Sequence, residues 1–405
     1  MGDRSEHDAM KDAPPVIRSG IPLTDVYSSP WAAAWFMRNA HAVAPTASIS
    51  ARTGPVTAIP SHPVDLDYLR LGDADGGSWT LAQMLAETAT DAIVVLKDGC
   101  VIYERRFGGL DWDAPRLCFS ITKSIASCVA ANLVGRGVID PDGAVAAHVP
   151  ELEASAYGDA TIRHLLDMTV GVRYVEDRDD PAAEGARLCR LCGLSPSRAG
   201  DEPGSTYRFA TTMRKEGQHG RTVHYVSLNT DVLGWVMERA SGLSVPELIS
   251  REVWSKLAED DACIILDGAG SAQLDSGLCA SLRDLVRFAQ MLLDGGRSGG
   301  AQVVPASWID DVAGGGDAAA FAAAPDCADL PRDWSYRGCF WVGAREDGAP
   351  IMALGMYGQM IYVDRARRFA AVKLSSQRRA VDDPLVTRTS RALRSLSEAL
   401  ESGGA

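Results

Sequence analysis

The spacing of apolar and polar positions predicts strands near both ends of this 405-residue chain and helices between them. Two apolar runs, AIVVL and CVIYER, flank the turn Lys97-Asp98-Gly99 and predict a hairpin over residues 92–105. Three later runs, YRGCFWVGA, IMALGMYGQMIYVD and FAAVKLSS, predict an antiparallel set near the end of the chain. An amphipathic pattern over residues 387–401 predicts a closing helix.

A long helix is predicted from Ser120 to Arg136, because apolar residues recur there at every fourth position. These residues are Ile121, Ile125, Val129 and Leu133. Small alanines and cysteines between them permit close packing on all sides, so we expect a buried helix. Further on, helical segments alternate with long turns. The segments are TIRHLLDM, STYRFATTMRK, SLNTDVLGWVMERASG, SVPELISREVWSKL, SLRDLVRFAQMLLDGG and PASWIDDVA.

These elements predict an α/β (α+β) fold in which one antiparallel sheet is built from both chain ends and is flanked by helices. Residues 1–75 are rich in Pro, Ser, Gly and Asp, so we expect an extended N-terminal arm with few regular elements. Residues 76–136 and 335–405 would form the α/β sheet domain, with the long helix at its interface. Residues 137–334 would form an inserted, mainly helical domain that carries the pocket loops.

Composition and charge narrow the range of partners. The chain is 46% apolar, enough for a large core, and has a net charge of −13 with a pI near 5.0. Nucleic acids and anionic membrane surfaces need a basic footprint, so we expect neither as a partner, and a small-molecule substrate fits better. The charged first residues lack the apolar run of a signal peptide, and no apolar stretch is long enough to span a bilayer, which predicts a cytoplasmic protein.

The nine cysteines are an odd number scattered along the chain, which favours buried, reduced thiols over a disulfide framework. Cys189 and Cys192 have the spacing of a metal or redox pair. No further ligands follow at short spacing, and their Arg-rich segment lacks the strand-to-helix setting of a redox pair. We therefore expect neither a metal ion nor another cofactor.

The strongest candidate chemistry lies in FSITKS, residues 119–124, at the start of the long helix. Residues three apart share a helix face, so Ser120 and Lys123 are predicted to stand side by side. A serine hydroxyl becomes a strong nucleophile when a base takes its proton. Burial near the positive end of the helix dipole would lower the pKa of Lys123 and make it such a base. The Ser120 amide, in the first turn, would be free to bind an oxyanion.

A plainer interpretation makes Ser120 an N-cap and Lys123 an exposed first-turn residue, because Ser-x-x-Lys is a common pattern. Of the six lysines in the chain, only Lys123 has a serine three positions before it. Matching second and third motifs follow in the order that a Ser-Lys enzyme requires, which favours the catalytic interpretation.

FSITKS, with the downstream HYVSLNTDVLGW and LGMYGQ, resembles the motifs of the penicillin-recognising, class C β-lactamase-like serine hydrolases. The similarity runs from about residue 90 to 380 and is greatest to the 6-aminohexanoate-dimer hydrolases, which cut the amide of a nylon by-product and also act as carboxylesterases. The resemblance implies that Ser120 is the acylated nucleophile and Lys123 its helix partner. It also implies that Tyr225 relays the proton to the leaving group.

The chain departs from the commonest form of the second and third motifs. The second usually reads Tyr-x-Asn, whereas this chain has Ser227 at its third position, a departure that the hydrolase branch shares. The third, Lys-Thr-Gly in β-lactamases, aligns with Ala353-Leu354-Gly355, so no cation stands there to hold a β-lactam carboxylate. β-Lactamase or transpeptidase activity is therefore not expected. The next residue, Met356, would supply the second oxyanion amide beside that of Ser120.

The resemblance also implies several substrate-binding residues. Tyr174 would hydrogen-bond the scissile amide nitrogen, and Trp341 would line the acyl side of the pocket. Tyr357 stands where the branch usually has the His of His-Gly-Gln, Asp275 falls at a variable pocket position, and Asn229 is a further candidate near Ser227. Ordinary packing is the alternative for each of these side chains.

A Ser-His-Asp triad is the obvious rival, but the chain contains no Gly-x-Ser-x-Gly elbow. Packing or surface roles are therefore expected for the histidines considered as its members. These are His148, His164, His219 and His224.

The sequence predicts a serine acyl-transfer enzyme that acts on a small amide or ester, most simply an amidase or carboxylesterase of the 6-aminohexanoate-dimer hydrolase type. A transacylase that passes the acyl group to an amine in secondary metabolism would carry the same motifs. A catalytically silent binding module is the alternative from another class, and loss of Ser120, Lys123 or Tyr225 would have supported it. The oligomeric state stays open, a homodimer included.

Overall fold

The computed structural model describes residues 29–54, 56–72, 77–177, 180–196, 204–344 and 349–401. The charged first residues, on which the cytoplasmic expectation rests, lie outside these ranges, as does the part of the predicted arm before residue 29. Among the helices of the described ranges, none is long and apolar enough to cross a membrane.

Fifteen strands occur in the described ranges. They are β1 (Thr46–Ile49), β2 (Arg70–Gly72), β3 (Ser78–Thr80), β4 (Thr90–Lys97), β5 (Cys100–Arg106), β6 (Arg116–Leu117), β7 (Ala262–Ile265), β8 (Leu278–Ala280), β9 (Arg297–Ser298), β10 (Ala301–Gln302), β11 (Ser335–Arg337), β12 (Phe340–Val342), β13 (Ile351–Gly355), β14 (Gln359–Asp364) and β15 (Phe369–Ser375). Seven of them form an antiparallel central sheet in the order β11-β12-β13-β14-β15-β4-β5. The sheet thus joins strands from before and after the helical region.

The helices of the described ranges pack around this sheet and on one another. They are α1 (Pro30–Val43), α2 (Leu81–Glu87), α3 (Ile121–Gly135), α4 (Val145–His148), α5 (Ile162–Leu166), α6 (Glu184–Leu191), α7 (Thr206–Ala210), α8 (Leu228–Ser241), α9 (Val245–Ile249), α10 (Ser255–Leu257), α11 (Leu282–Leu293), α12 (Ala306–Ala313), α13 (Ala318–Ala322) and α14 (Asp383–Glu401). The π-helical turn Ser250–Trp254 joins α9 to α10.

The central sheet buries both faces, which explains the nearly continuous apolar sequence of β4. Val94 and Leu96 point into one core, which also contains the buried side of α3. Ile93 and Val95 point into a second core, which α14 covers. The predicted hairpin at β4–β5 closes through Asp98-Gly99, with φ angles of 52° and 80°. Positive φ at both turn positions matches the twist of the two strands.

The predicted antiparallel sheet from both chain ends, flanked by helices, is confirmed. The domain boundaries stay a prediction, and the structure adds two elements that the sequence patterns did not indicate. The expected arm contains the 14-residue helix α1, whose N-cap Ser29 accepts a hydrogen bond from the Ala32 amide and whose first position is Pro30. The expected helical region contains β7 and β8, which pair with β1 and β6 in a second, four-stranded sheet. These strands have two to four residues, too few to show a period of two.

Candidate active site

The long predicted helix is confirmed as α3, and every residue from Ile121 to Leu133 is buried. Ser120 lies at its N-cap with φ −66° and ψ −4°. The preceding Phe119 has φ 48°, a strained value for a bulky residue, and its carbonyl accepts a 2.6 Å hydrogen bond from Thr122 Oγ1. The last residue of β13, Gly355, passes so close that a Cβ there would lie 2.6 Å from the Cys118 carbonyl oxygen. The glycine therefore lets the end of β13 approach the turn that carries Ser120.

Lys123 lies beneath Ser120 and is buried, with 1% of its surface exposed. Its Nζ donates hydrogen bonds to Ser120 Oγ at 2.9 Å, to the Asp275 carbonyl at 2.7 Å and to Ser227 Oγ at 3.4 Å. Three acceptors suit the three protons of an ammonium group. The alternative of an exposed first-turn lysine is therefore wrong.

The expectation that its surroundings lower the pKa of Lys123 is also wrong. Burial disfavours the ammonium, but the phenol of Tyr225 and the carboxyls of Asp275, Glu176 and Asp231 favour it more strongly, so the pKa is raised. Burial and the helix dipole can be inferred from the local sequence. These acidic groups cannot, because they come from distant segments of the chain.

Tyr225 forms an aromatic wall beside this pair. Lys123 Nζ lies 5.2 Å from the centre of its ring. The ring stacks on Trp341 at 5.5 Å with an interplanar angle of 20°, and Tyr336 meets it edge-on at 6.0 Å. The structure thus brings together Ser120, Lys123 and Tyr225, as predicted from the motifs. Stacking on Trp341 restricts the orientation of the phenol.

Glu176 is a site residue that sequence reasoning missed. Its Oε1 accepts a 2.7 Å hydrogen bond from Ser227 Oγ, and its Oε2 accepts a 3.3 Å bond from the Ser227 amide. At the position where related motifs carry Asn, this chain therefore has a serine joined to a carboxylate. The residues are 51 positions apart, so only the folded chain shows that they are partners.

A cavity of about 460 Å³ opens above Ser120. Tyr225, Trp341 and Met356 line it, together with apolar side chains such as Leu330. Five carboxyl groups also line it, and the described lining residues include no lysine or arginine. The carboxyl groups belong to Glu176, Asp177, Asp326, Asp382 and Asp383. The wall is therefore aromatic, apolar and acidic.

Two backbone amides are available near Ser120. Met356 directly follows the end of β13 and borders the cavity. Within the described ranges, no acceptor is hydrogen-bonded to the amide of Ser120 or of Met356. This is the condition that an oxyanion-binding pair must meet.

The structure places three of the predicted substrate-binding side chains away from the cavity wall. Tyr174 is buried, whereas the residues after it, Val175 to Asp177, line the cavity. Asn229 is fully buried in α8 and accepts a 3.1 Å hydrogen bond from the Tyr157 hydroxyl. Tyr357 adopts a left-handed φ of 59°, and its ring packs 5.6 Å from that of Phe119.

Asp275 lies on the other side of Ser120, in a recess of about 10 Å³ that Cys189 and Cys192 also line. The backbone carbonyl of Asp275 accepts a hydrogen bond from Lys123 Nζ, and its side chain accepts a 2.9 Å hydrogen bond from Ser276 Oγ. Both cysteines are buried free thiols. The described residues include no group of three His, Cys, Asp or Glu side chains that could hold a metal ion.

Of the histidines considered for a triad, His224 comes nearest to the cavity wall, with its Nε2 3.6 Å from Asp326. The rings of His164 and His219 lie 5.3 Å apart with an interplanar angle of 33°, and His219 hydrogen-bonds Asp159 at 2.9 Å. Neither of these two borders the cavity above Ser120 in the described chain.

Comparisons with known proteins show the family of this chain. A family model described as Beta-lactamase matches residues 80–395. The 6-aminohexanoate-dimer hydrolase of Paenarthrobacter ureafaciens is 35% identical over 363 residues, which cover 89% of this chain and 90% of that protein.

Solved structures show the same fold. A Bacillus anthracis protein described as a 6-aminohexanoate-dimer hydrolase superposes with a TM-score of 0.82 and 26% identity, covering 91% of this chain and 94% of that one. Simvastatin synthase from Aspergillus terreus, in an engineered form, superposes with a TM-score of 0.56 and 16% identity, covering 79% and 97%. At that identity the second likeness concerns the fold alone.

Proposed function

The chain belongs to the β-lactamase family of hydrolases, and on that premise we propose that it is a serine acyl-transfer enzyme with Ser120, Lys123 and Tyr225 as its catalytic centre. The observation that carries the proposal is the buried 2.9 Å contact between Lys123 Nζ and Ser120 Oγ at the floor of the cavity. The substrate is a small amide or ester. The reaction proceeds through an acyl-enzyme.

The charge of Lys123 decides how the proton moves. A raised pKa keeps this residue as an ammonium, which donates to Ser120 and has no lone pair with which to take its proton. A phenol hydroxyl can accept one proton while it donates its own, so we assign Tyr225 as the proton relay. Lys123 then positions Ser120 through its hydrogen bond.

In the first step the Ser120 oxygen bonds to the carbonyl carbon while its proton passes to the Tyr225 oxygen, and Tyr225 gives its own hydroxyl proton to the leaving nitrogen or oxygen. The carbonyl oxygen becomes an oxyanion, held by the amides of Ser120 and Met356. The bond to the protonated amine or alcohol then breaks, which leaves the acyl group on Ser120. Water then attacks the acyl-enzyme, gives a proton to Tyr225 and releases the acid, and Ser120 regains its proton.

The acidic wall points to a substrate that carries a positive charge. Carboxyl groups from Glu176, Asp177, Asp326, Asp382 and Asp383 surround an opening with no lysine or arginine among the described lining residues. An ammonium on the substrate would be attracted there and a carboxylate repelled, because the partly apolar wall weakens solvent screening. The relative that is 35% identical is named for a dimer of an amino acid with a terminal amino group.

A matched set of esters tests both parts of the proposal. Three p-nitrophenyl esters of equal chain length would end in an ammonium, a methyl or a carboxylate group. We expect kcat/KM to fall in that order by about tenfold or more overall, and intact-protein mass spectrometry to show an acyl adduct that Ser120→Ala lacks. An adduct that persists in Ser120→Ala would refute the nucleophile. Equal rates for the three esters would refute the charge preference while leaving the nucleophile intact.

The acidic wall also fits the transacylase alternative, because an amine acceptor is cationic in solution. Adding a primary amine during turnover of the best ester and measuring amide against acid separates the two activities. Amide as the main product at millimolar amine would establish the transacylase. Acid as the main product would establish the hydrolase, whereas a silent binding module would give neither product and no adduct.

A further inference from the structure

A second, larger cavity of about 900 Å³ lies at the opposite end of the central sheet. The turn of the β4–β5 hairpin lines it through Gly99, and the turn between β14 and β15 lines it through Arg365 and Arg368. The turn between β13 and β14, at Gly355–Gly358, borders the cavity above Ser120. The six residues of β14 span about 17 Å between these two ends.

This second cavity is basic, in contrast to the chain as a whole. Six cationic side chains line it against one carboxylate, that of Asp294, although the chain has a net charge of −13. The cations are Arg52, Lys256, Arg287, Arg297, Arg365 and Arg368. The two cavities at opposite ends of the sheet therefore carry opposite charge.

Carboxylates behind the wall hold some of these cations in place. Arg365 pairs with Asp310 at 2.8 Å, and Arg287 pairs with Asp284 at 3.0 Å. Such contacts reduce the entropy lost when a guanidinium group binds a ligand. They also neutralise part of the positive charge of the cavity. Attraction of an anionic ligand therefore depends most on the cations that form no ion pair with a carboxylate.

Arg52 and Arg297 are those cations. Neither forms an ion pair with a carboxylate in the described ranges, and Arg297 instead donates a 2.5 Å hydrogen bond to the Gly300 carbonyl. Both are exposed at the rim of the cavity. A guanidinium group donates in a planar fork that matches two anionic oxygens at once.

Lys256 adds a further cation to this wall. Its Nζ lies 3.9 Å from Glu252, so part of its charge is neutralised, as for the arginines above.

We propose that this cavity binds a small organic polyanion, with Arg52 and Arg297 as its principal partners and Lys256 as a third cation. The ligand carries closely spaced anionic oxygens, as in a phosphate ester or a polycarboxylate. The site is separate from the catalytic cavity and does not rest on the proposed function.

Calorimetric titration of the full chain with pyrophosphate, inorganic phosphate and citrate tests the site. We expect saturable binding of pyrophosphate or citrate with a Kd below about 1 mM, weaker binding of phosphate, and a loss of affinity between about 50 and 300 mM NaCl. Tighter binding of pyrophosphate than of citrate would identify a phosphate-bearing ligand, and the reverse order a polycarboxylate. Failure of wild-type protein to bind either probe would overturn the proposal.

The double variant Arg52→Gln/Arg297→Gln removes the two cations that have no carboxylate partner. We expect it to lose about tenfold or more in affinity while its Tm and its ester turnover stay unchanged. Arg391→Gln, at an exposed position of α14, is the matched control and should bind as wild type. Unchanged affinity in the double variant, or an equal loss in the control, would overturn the assignment. If the double variant is unstable, Arg297→Gln alone takes its place, because Arg297 is exposed in a short hairpin.

Discussion

Lys123 Nζ lies 2.9 Å from Ser120 Oγ in surroundings that raise the pKa of the ammonium rather than lower it. The Ser-x-x-Lys spacing predicts this contact. The direction of the pKa shift of Lys123 is opposite to the one that burial and the helix dipole predict. The phenol of Tyr225 and the carboxyl groups of Asp275, Glu176 and Asp231 together outweigh the cost of burial. We therefore propose that the proton of Ser120 passes to Tyr225 while Lys123 stays an ammonium that positions Ser120.

Replacing Lys123 by Arg should lower kcat/KM by about 100- to 10,000-fold, measured on the best ester. A planar guanidinium group cannot place one nitrogen against Ser120 Oγ, the Asp275 carbonyl and Ser227 Oγ as the lysine does. Lys97→Arg, in the β4–β5 hairpin, is the control and should keep full activity. Activity near wild type in Lys123→Arg would show that positive charge alone suffices and that the geometry is unimportant.

Replacing Tyr225 by Phe should slow both acylation and deacylation by about 100- to 10,000-fold and leave the fold unchanged. The ring packing on Trp341 and Tyr336 is kept, so the hydroxyl is what the change removes. Burst kinetics with an activated ester separate the two steps. Tyr68→Phe, at a side chain that is 83% exposed, controls for the loss of a phenol elsewhere. An unchanged burst and steady state would remove Tyr225 from the mechanism.

Much of the geometry of the proposed catalytic centre could be predicted because it is local in sequence. Ser120 and Lys123 share one helical turn, and Tyr225 stands in a short motif that the family repeats. The substrate wall could not be predicted in the same way. Val175 to Asp177 line the cavity, whereas Tyr174 next to them is buried, a difference of one position that depends on how the loop packs.

The fold, too, has elements that could be predicted from local sequence and elements that depend on tertiary contacts. The nearly continuous apolar run of β4 and the fourfold spacing of α3 each carry enough periodicity to predict an element. The short strands β7 and β8 do not, and their pairing with β1, more than 200 residues earlier, depends on tertiary contacts. Helix α1, by contrast, begins with Ser29-Pro30, an N-cap followed by a proline, and this pair is a signal from which the start of a helix can be predicted.

Replacing Glu176 by Gln should move the limb of the pH–rate profile that Lys123 governs to lower pH. The carboxylate helps to raise the pKa of Lys123, so its neutralisation lets that pKa fall. If the ammonium is the active form, activity is then lost at a lower pH on the alkaline side. Gln can still accept the hydrogen bond from Ser227 Oγ, which keeps the geometry close to that of the parent. Glu153→Gln, at an exposed position, should leave the profile unchanged, and an unmoved profile in Glu176→Gln would contradict the charge assignment.

A second buried lysine, Lys373 in β15, is expected to affect the stability of the fold independently of catalysis. It is 1% exposed, and its Nζ donates to Ser375 Oγ and, at 3.5 Å, to the Thr88 carbonyl. Burial lowers its pKa to about 7, against the opposing effect of Asp91. The unfolded chain binds this proton up to its ordinary pKa near 10.5. The folded state is therefore penalised fully below pH 7, and the penalty disappears as the pH rises from 7 to about 10.5.

Lys373→Met should consequently increase the free energy of unfolding at pH 7. The removed penalty is about 4 kcal/mol and the lost hydrogen bonds cost about 1–2 kcal/mol, which leaves a gain of about 2–3 kcal/mol. The gain should shrink as the pH approaches 10, because the wild-type lysine is then neutral in the folded chain and the free energy needed to remove its proton from the unfolded chain, whose pKa is near 10.5, has fallen below about 1 kcal/mol. Urea unfolding of both proteins between pH 7 and 10 measures the difference, and Lys97→Met in the hairpin should show no such trend. A destabilised Lys373→Met at pH 7, or a difference that does not change with pH, would show that Lys373 is not a penalised buried charge.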